Sequence, residues 1–233
     1  MSSFGQTAIE IIKKADDKMR GKSNSSEMKM TIVRPEWKRE ITMKGWALGN
    51  EYSIILITSP ARDKGQAFLK RENEMWNWQP TIDRVIKLPP SMMLQSWMGS
   101  DFTNDDLVKE SSVVNDYTHT LEQDSIINGM EVFKITLTPK PEAAVVWGKI
   151  VTYIDKKEYN QHLVKYYDED DFLINTMIMS DLKVMGGKLI PARMEMIPFE
   201  NPENRTIIQY SDMQFDIDVN DKFFSLQNMK RIR

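Results

Sequence analysis

Residues 76–107 read WNWQPTIDRVIKLPPSMMLQSWMGSDFTNDDL, with three tryptophans, three methionines and a Pro89-Pro90 pair ahead of Gly99-Ser100-Asp101-Phe102-Thr103. A segment so rich in apolar and aromatic side chains belongs in a core or around a cavity for an apolar ligand. Trp76 and Trp78 stand two apart, so in a strand they share a face while Asn77 points away. Ser91–Trp97 and Asn104–Glu110 have helical spacing. Thr103 or Asn104 can cap the second, with Asp105 and Asp106 in its first turn. The stretch reads as sheet that passes into a helical insertion at about 91–110 and then returns to sheet.

Outward from this segment the chain is mostly strand. Met28, Met30 and Ile32 alternate with Lys29 and Thr31, and Trp37–Leu48 and Tyr52–Thr58 flank a tight turn at Leu48-Gly49-Asn50-Glu51. Asn128-Gly129 separates His119–Ile127 from Glu131–Thr138, and Gly186-Gly187 separates Thr176–Met185 from Leu189–Ile197. Gly and Asn tolerate the positive φ of two-residue hairpins, so these turns predict antiparallel pairing. Ala67–Leu69, Glu74–Gln79, Arg84–Leu88, Lys149–Asp155, His162–Tyr167 and Arg205–Phe215 supply further strands. Met194 with Met196, and Ile208 with Tyr210, form same-face pairs like that of the tryptophans.

Before the strands, Ala8, Ile9, Ile12, Ala15 and Met19 recur at helical spacing as far as Gly21, and a polar Lys-Ser-Asn-Ser-Ser linker follows. The fold class is therefore mainly β (α+β). About ten strands with few helices and no alternating βαβ pattern imply one large, curved antiparallel sheet, its concave side open to cover by the N-terminal helix (1–21) and short helices. With no repeat and no low-complexity linker, residues 1–233 read as one domain, its curved sheet running through 28–233. A long sheet must curl to bury one face, which leaves an interior.

Composition narrows the functions. The 233 residues carry 31 basic and 34 acidic side chains, so no strong field invites nucleic acid. Absence of cysteine excludes disulfides, thiolate catalysis and cysteine-ligated metals. No run of 18 apolar residues spans a membrane. The first residues lack the basic start and apolar centre of a signal peptide, and the Met-Ser-Ser opening reads as a start that replaces a removed leader. Methionine, at 17 residues, serves as core filler or as an adaptable apolar surface.

A catalytic constellation does not emerge. His119 and His162 lie in different strands without a carboxylate pair at ligand spacing, so neither a metal site nor a cofactor is expected. Asp168-Glu169-Asp170-Asp171 lacks the pattern of a calcium loop and reads as a solvated turn. Ser100-Asp101 has neither a Gly-x-Ser-x-Gly elbow nor a histidine partner. Gly186-Gly187 is a turn, because no Lys-Ser/Thr follows it.

A set of motifs resembles the outer-membrane lipoprotein-sorting family, whose members share the LolA-like fold. They are Pro60-Ala61, Lys64-Gly65, Phe68-Leu69, Trp76-Asn77-Trp78-Gln79-Pro80, Arg84-Val85, Leu88-Pro89-Pro90, Gly99-Ser100-Asp101-Phe102-Thr103 and Asp106-Leu107, with Tyr166-Tyr167-Asp168 and the Pro191–Met196 strand behind them. The resemblance covers most of the chain from Met28 onward. It departs from the family pattern at Trp76-Asn77-Trp78, where Trp-Ile/Leu-Tyr is usual, and at Asn104, where an aromatic is usual.

The resemblance implies a half-open antiparallel β-barrel of about 10–11 strands closed by helices, and a periplasmic carrier, with its leader removed, that is not an enzyme. Its apolar hollow would take the acyl chains of a lipoprotein or lipid toward the outer membrane, beside machinery such as an inner-membrane transporter. A chain of about fifteen methylenes gains on the order of 12 kcal/mol on burial, at roughly 0.8 kcal/mol for each CH₂. Trp46, Phe68, Trp76, Trp78, Met92, Met93 and Trp97 are expected to line the hollow. Gly99, Ser100, Asp101, Phe102 and Thr103 are expected to shape the turn into the covering helix. The alternative is a sensor module of the same fold that binds a membrane or envelope-stress partner and carries nothing.

Overall fold

The computed structural model describes residues 6–109, 113–143 and 145–232. Helix α1 (Ala8–Arg20) precedes six strands: β1 (Ser23–Val33), β2 (Lys38–Leu48), β3 (Tyr52–Ser59), β4 (Ala67–Arg71), β5 (Glu74–Gln79) and β6 (Arg84–Lys87). After the insertion, which holds α2 (Asn104–Lys109), come β7 (Tyr117–Leu121), β8 (Ser125–Ile127), β9 (Met130–Pro139), β10 (Lys149–Asp155) and β11 (Gln161–Tyr167). The chain continues through β12 (Leu173–Met185), β13 (Lys188–Pro198), β14 (Arg205–Phe215) and α3 (Leu226–Arg231). Every pairing is antiparallel, in the order β6-β5-β4-β3-β2-β1-β14-β13-β12-β11-β10-β9-β7, with β8 also on β9. The sheet is thus a meander entered in the middle. The first strand pairs with the last, and β6 and β7, consecutive in the chain, form opposite edges. Residues 88–116 must therefore cross from one edge to the other.

The hairpin turns are those read from the sequence: Asn128 and Gly129 have φ of 50° and 80°, and Gly186 and Gly187 have 53° and 79°. Both pairs meet the two positive φ angles that a tight antiparallel hairpin requires. At Gly186 a Cβ would also sit 2.6 Å from the Phe215 ring, so glycine is needed for space as well. The mainly-β fold stands, with fourteen strands where the sequence pattern resolves about ten to eleven.

Four elements differ from the sequence expectation. Lys22–Ser26 is not a linker, since β1 begins at Ser23. Its polar side chains are satisfied indoors: Ser23 Oγ donates to the Ile217 carbonyl and Asn24 Nδ2 to that of Arg20. The strand expected at His119–Ile127 is two, β7 and β8, because 122–124 leave the ladder between them. Ser91–Trp97 is no helix. Behind Pro89-Pro90 it forms only short 3-10 turns, and Met98 (φ 54°) and Gly99 (φ 78°) turn the chain sharply. Finally, α3 has only six residues and one buried side chain, Met229, too little for a periodic signal. Glu110, the expected end of the second helix, lies outside the described residues.

Alternation sorts the side chains onto two faces. On the concave face, Ile32, Thr206, Met196, Met177, Val164 and Thr152 form one cross-strand row. Helix α1, opened by a Thr7–Glu10 capping box, lies against β7 and β13 and buries Ala8, Ile11 and Ile12 in this inner core. On the convex face, Trp46, Ile54, Leu69 and Trp76 form a row of their own, beside Leu56, Ala67 and Trp78. Phe223, Phe224 and Met229 cover that row as a second core. Arg71 ties the cover down by donating to the Phe224 carbonyl at 2.7 Å.

The insertion is bolted to the sheet by the Gly99–Thr103 turn. Asp101 accepts from both terminal nitrogens of Arg34, at 3.0 and 3.1 Å, and from the hydroxyl of fully buried Thr206, at 2.7 Å. The Asp101 amide donates back to Thr206 Oγ1 at 2.9 Å. Arg34 also reaches the Gly99 carbonyl, and Arg39, paired with Asp63 at 2.7 Å, donates to that of Met98. Thr103 then caps α2 in a reciprocal box with Asp106. A bidentate arginine–carboxylate pair of this kind fixes direction as well as distance.

Two outcomes follow from these contacts. Asp101→Ala should cost roughly 2–3 kcal/mol in urea unfolding, below the range for a fully buried pair because Arg34 keeps 17% exposure. The same variant should raise amide exchange across 97–103. Trp78→Ala should cost about 3–5 kcal/mol, the penalty of a packed-core tryptophan. Because its ring lies in the outer core, binding of an apolar dye inside the sheet should not change.

Candidate ligand-binding hollow

The concave face is not filled by its own side chains. Between the sheet, α1 and the insertion lies a hollow of about 320 Å³, within the ordinary range for small-molecule sites. Ile12, Ala15 and Met19 of α1 form one wall. Ile55, Leu137, Ile150, Ile154, Val164 and Ile208 supply aliphatic surface from the strands. Eight methionines line it as well: Met19, Met28, Met43, Met177, Met179, Met194, Met196 and Met213. Gly45 leaves space beside Ser26 and Met28, where a Cβ would lie 2.9 Å from Ser26 Oγ. Trp97 and Phe102 close the side held by the insertion.

Polar lining is concentrated at one end of the strands. Asn24 and Ser26 come from the start of β1, Asn50 and Ser53 from the β2–β3 turn, Lys70 from the end of β4, and Asn160 and Gln161 from the β10–β11 turn. Asp16 and Arg20, ion-paired at 3.0 Å, join them from the last turn of α1. Toward the other end the wall is apolar and aromatic, with Asp105 and Asp106 of α2 beside it. Asp106 accepts from the Trp147 indole at 3.2 Å. Burial first, then the nearby Asp105, Asp116 and Asp106 carboxylates, push the Tyr117 phenol well above its ordinary range, so it stays neutral.

The β10–β11 turn is built around Asp155. Burial alone would raise its carboxyl. The amides of Glu158 and Asn160 and the His162 ring outweigh that, and its pKa lies below the ordinary value of 3.8. These bonds fix the backbone of Asn160, and with it the wall at this end.

The residues expected to line the hollow divide by strand parity. Trp97 lines it, and Phe68 faces the same side, its ring edge-on to Trp97 at 5.2 Å between centroids. Met93 packs against the inner core. Met92 is half-buried, and its carbonyl accepts from Asn104. Trp76 and Trp78 point to the convex face, contrary to expectation. Asn77, opposite Phe68 and Ile86, takes the inward position that they were assigned. Trp46 touches the wall, but its ring packs on Phe223 in the outer core, 6.1 Å between centroids.

In the Gly99–Thr103 turn, Phe102 lines the hollow while Asp101 and Thr103 are structural, as described above. Ser100 Oγ donates to the Trp97 carbonyl and accepts from the Phe102 amide, all within its own turn. Among the described residues its hydroxyl bonds to backbone atoms of Trp97 and Phe102 alone. Sequence reasoning missed Arg34, Arg39 and Thr206 as anchors, and Lys70 and Asn160 as lining. The three anchors are marked only by partners far away in the chain, Asp101 for Arg34 and Thr206, and Asp63 and Met98 for Arg39. Met194, Met196, Ile208 and Tyr210, read as same-face pairs, all line the hollow. Among the described residues no group of three His, Cys, Asp or Glu is placed to hold a metal, and no helix is long and apolar enough to cross a membrane.

Solved structures share this arrangement almost end to end. A DUF1329 family protein from Desulfovibrio piger superposes with a TM-score of 0.86 at 21% identity, over 95% of this chain and 97% of that one. A protein described as an outer membrane lipoprotein-sorting protein domain, from Vibrio parahaemolyticus, gives 0.85 at 21%, over 96% and 98%. A LolA superfamily protein from Nitrosomonas europaea gives 0.82 at 23%, over 96% and 99%. These likenesses establish the LolA-like fold. No curated protein matches the chain. A family model described as an uncharacterized protein matches residues 49–231, more than half of the chain. With its LolA-like sheet, the chain belongs to that family.

Proposed function

We propose that this protein is a carrier that shelters the acyl chains of a lipoprotein or lipid in its hollow during passage through the periplasm toward the outer membrane. The single observation that carries the reading is the apolar, methionine-rich space of about 320 Å³ on the concave face. Burial of each methylene there stabilises the loaded form by roughly 0.8 kcal/mol. The unbranched thioethers let the wall follow chains of different shape. The polar end of the lining suits an amphiphile whose head remains near solvent. An inner-membrane transporter is the matching source of cargo, and the machinery of the chain itself is binding, without a catalytic step. The two neighbours described as a lipoprotein-sorting domain and a LolA superfamily protein support the reading through their fold.

Organic extraction of the purified protein followed by mass spectrometry should recover acyl lipid. After delipidation, N-phenyl-1-naphthylamine should fluoresce on binding and be displaced by acyl chains. Met194→Trp, which adds bulk from the middle of the wall, should abolish dye binding while the far-UV spectrum is retained. If no acyl species is recovered and none can be loaded, the carrier reading fails and a sensor module that binds only a protein partner takes its place.

A further inference from the structure

Both covers of the hollow are fastened to the sheet, and this limits how much it can hold. At the start of α1 the Tyr159 hydroxyl donates to Gln6 Oε1 at 2.6 Å. Near its end Lys18 Nζ donates to the Glu158 carbonyl at 2.6 Å and pairs with the carboxylate at 3.2 Å. Lys188 Nζ donates to the Lys18 carbonyl at 3.1 Å, and Asn24 Nδ2 to that of Arg20 at 2.9 Å. The insertion is held at its middle by the Asp101 clamp and beyond it by the Trp147 indole on Asp106. Behind the wall, the strands pair in one unbroken ladder from β6 to β7. The methionines can lean inward and shrink the space. Widening it would break these bonds, so the volume of about 320 Å³ is an upper bound.

A water-sized group occupies roughly 30 Å³ and a methylene is of similar size, so the bound corresponds to about eleven methylenes. One tail can use all of that room. Two tails sharing it would each leave much of their length in water and forgo the gain of burying it. The ends of the hollow also give a tail its direction. A head finds Asn50, Ser53 and Gln161 at the polar end, and the terminal methyl meets Trp97 and Phe102 on the side closed by the insertion. Resting on the carrier reading, we propose that the cargo is a single-chain amphiphile, inserted tail first, with a tail of about ten to twelve carbons. A lipid or lipoprotein with several tails offers the hollow only one of them.

The test is displacement of N-phenyl-1-naphthylamine from the delipidated full chain by straight-chain alkanoates of eight to sixteen carbons, each below its micellar concentration. Affinity should rise about fourfold with each added methylene while the tail is still being buried. The rise should stop near twelve carbons, with one alkanoate bound per protein molecule. Dilauroylphosphatidylcholine should bind no tighter than its monoacyl counterpart with the same head and tail length. Phe102→Ala opens the closed side and should move the break to longer tails. Ala15→Leu adds bulk from α1 and should move it to shorter ones. The two variants shift the break in opposite directions, and the second tests the idea on a helix surface if the first folds poorly. Affinity that climbs steadily through sixteen carbons, a break that neither substitution moves, or two chains bound per protein overturns the proposal. So does a diacyl lipid that binds tighter than the monoacyl one. Failure of every alkanoate to displace the dye is a different result, and removes the carrier reading itself.

Discussion

The connection from β6 to β7 must span the open side of the sheet, since those consecutive strands are its opposite edges. Everything distinctive about the molecule answers that constraint. A crossing of 88–116 over an apolar concave face would collapse onto it or lift away unless something held it at a set height. The Asp101 clamp does this from the sheet itself, with Arg34 at the end of β1 and Thr206 at the start of β14, the two strands where the chain's first and last halves join. The insertion is therefore fixed at its middle, at the seam of the meander. Trp97 and Phe102, on either side of the clamp, are held against the hollow rather than buried in it.

The two faces of the sheet are packed by different chemistry. Outside, tryptophans, isoleucines and leucines meet Phe223, Phe224 and Met229 in a closed cluster. Rings with few rotamers, interleaved with aliphatic side chains, fit one arrangement well and others poorly. Inside, methionine predominates in the wall, and flexible thioethers specify no single packing. Rigidity on the convex side preserves the curvature of the sheet, and softness on the concave side leaves its content undetermined. The division follows strand parity residue by residue: Trp46 faces out while Gly45 and Ala47 face in, and Trp76 and Trp78 face out while Asn77 faces in.

That parity explains what could be read from the sequence and what could not. The hairpins at Asn128-Gly129 and Gly186-Gly187 were legible because local φ demands dictate residue type. So were the shared faces of Trp76 with Trp78 and of Met194 with Met196, because alternation is local. Which face was the inner one was not legible for the tryptophans. The answer depended on a covering segment, Phe223 to Met229, far downstream in the chain, whose helix has only one buried side chain. An apolar-aromatic strand looks the same whether it lines a ligand site or an ordinary core. The start of β1 misled for the opposite reason: Ser23 and Asn24 look like linker, yet Ile217 and Arg20 carbonyls, invisible in the local pattern, satisfy them. The anchors Arg34 and Thr206 lie 67 and 105 residues from Asp101, beyond the reach of any motif.

A hollow of this size has an energetic consequence that the choice of side chains addresses. Were its walls rigid, an empty volume of about 320 Å³ would destabilise the fold by on the order of 8 kcal/mol. That is comparable with the whole stability of an ordinary domain. A wall of branched aliphatic residues in fixed rotamers would bear most of that penalty, and a ligand that relieved it would scarcely leave. Methionines can lean inward when the space is vacant, which lowers the penalty of the empty state and so the advantage of the loaded one. The same substitution of thioether for branched carbon that blurs the packing therefore brings the two states closer in free energy. Without that closeness a binding protein stores its ligand, and with it the ligand can be passed on.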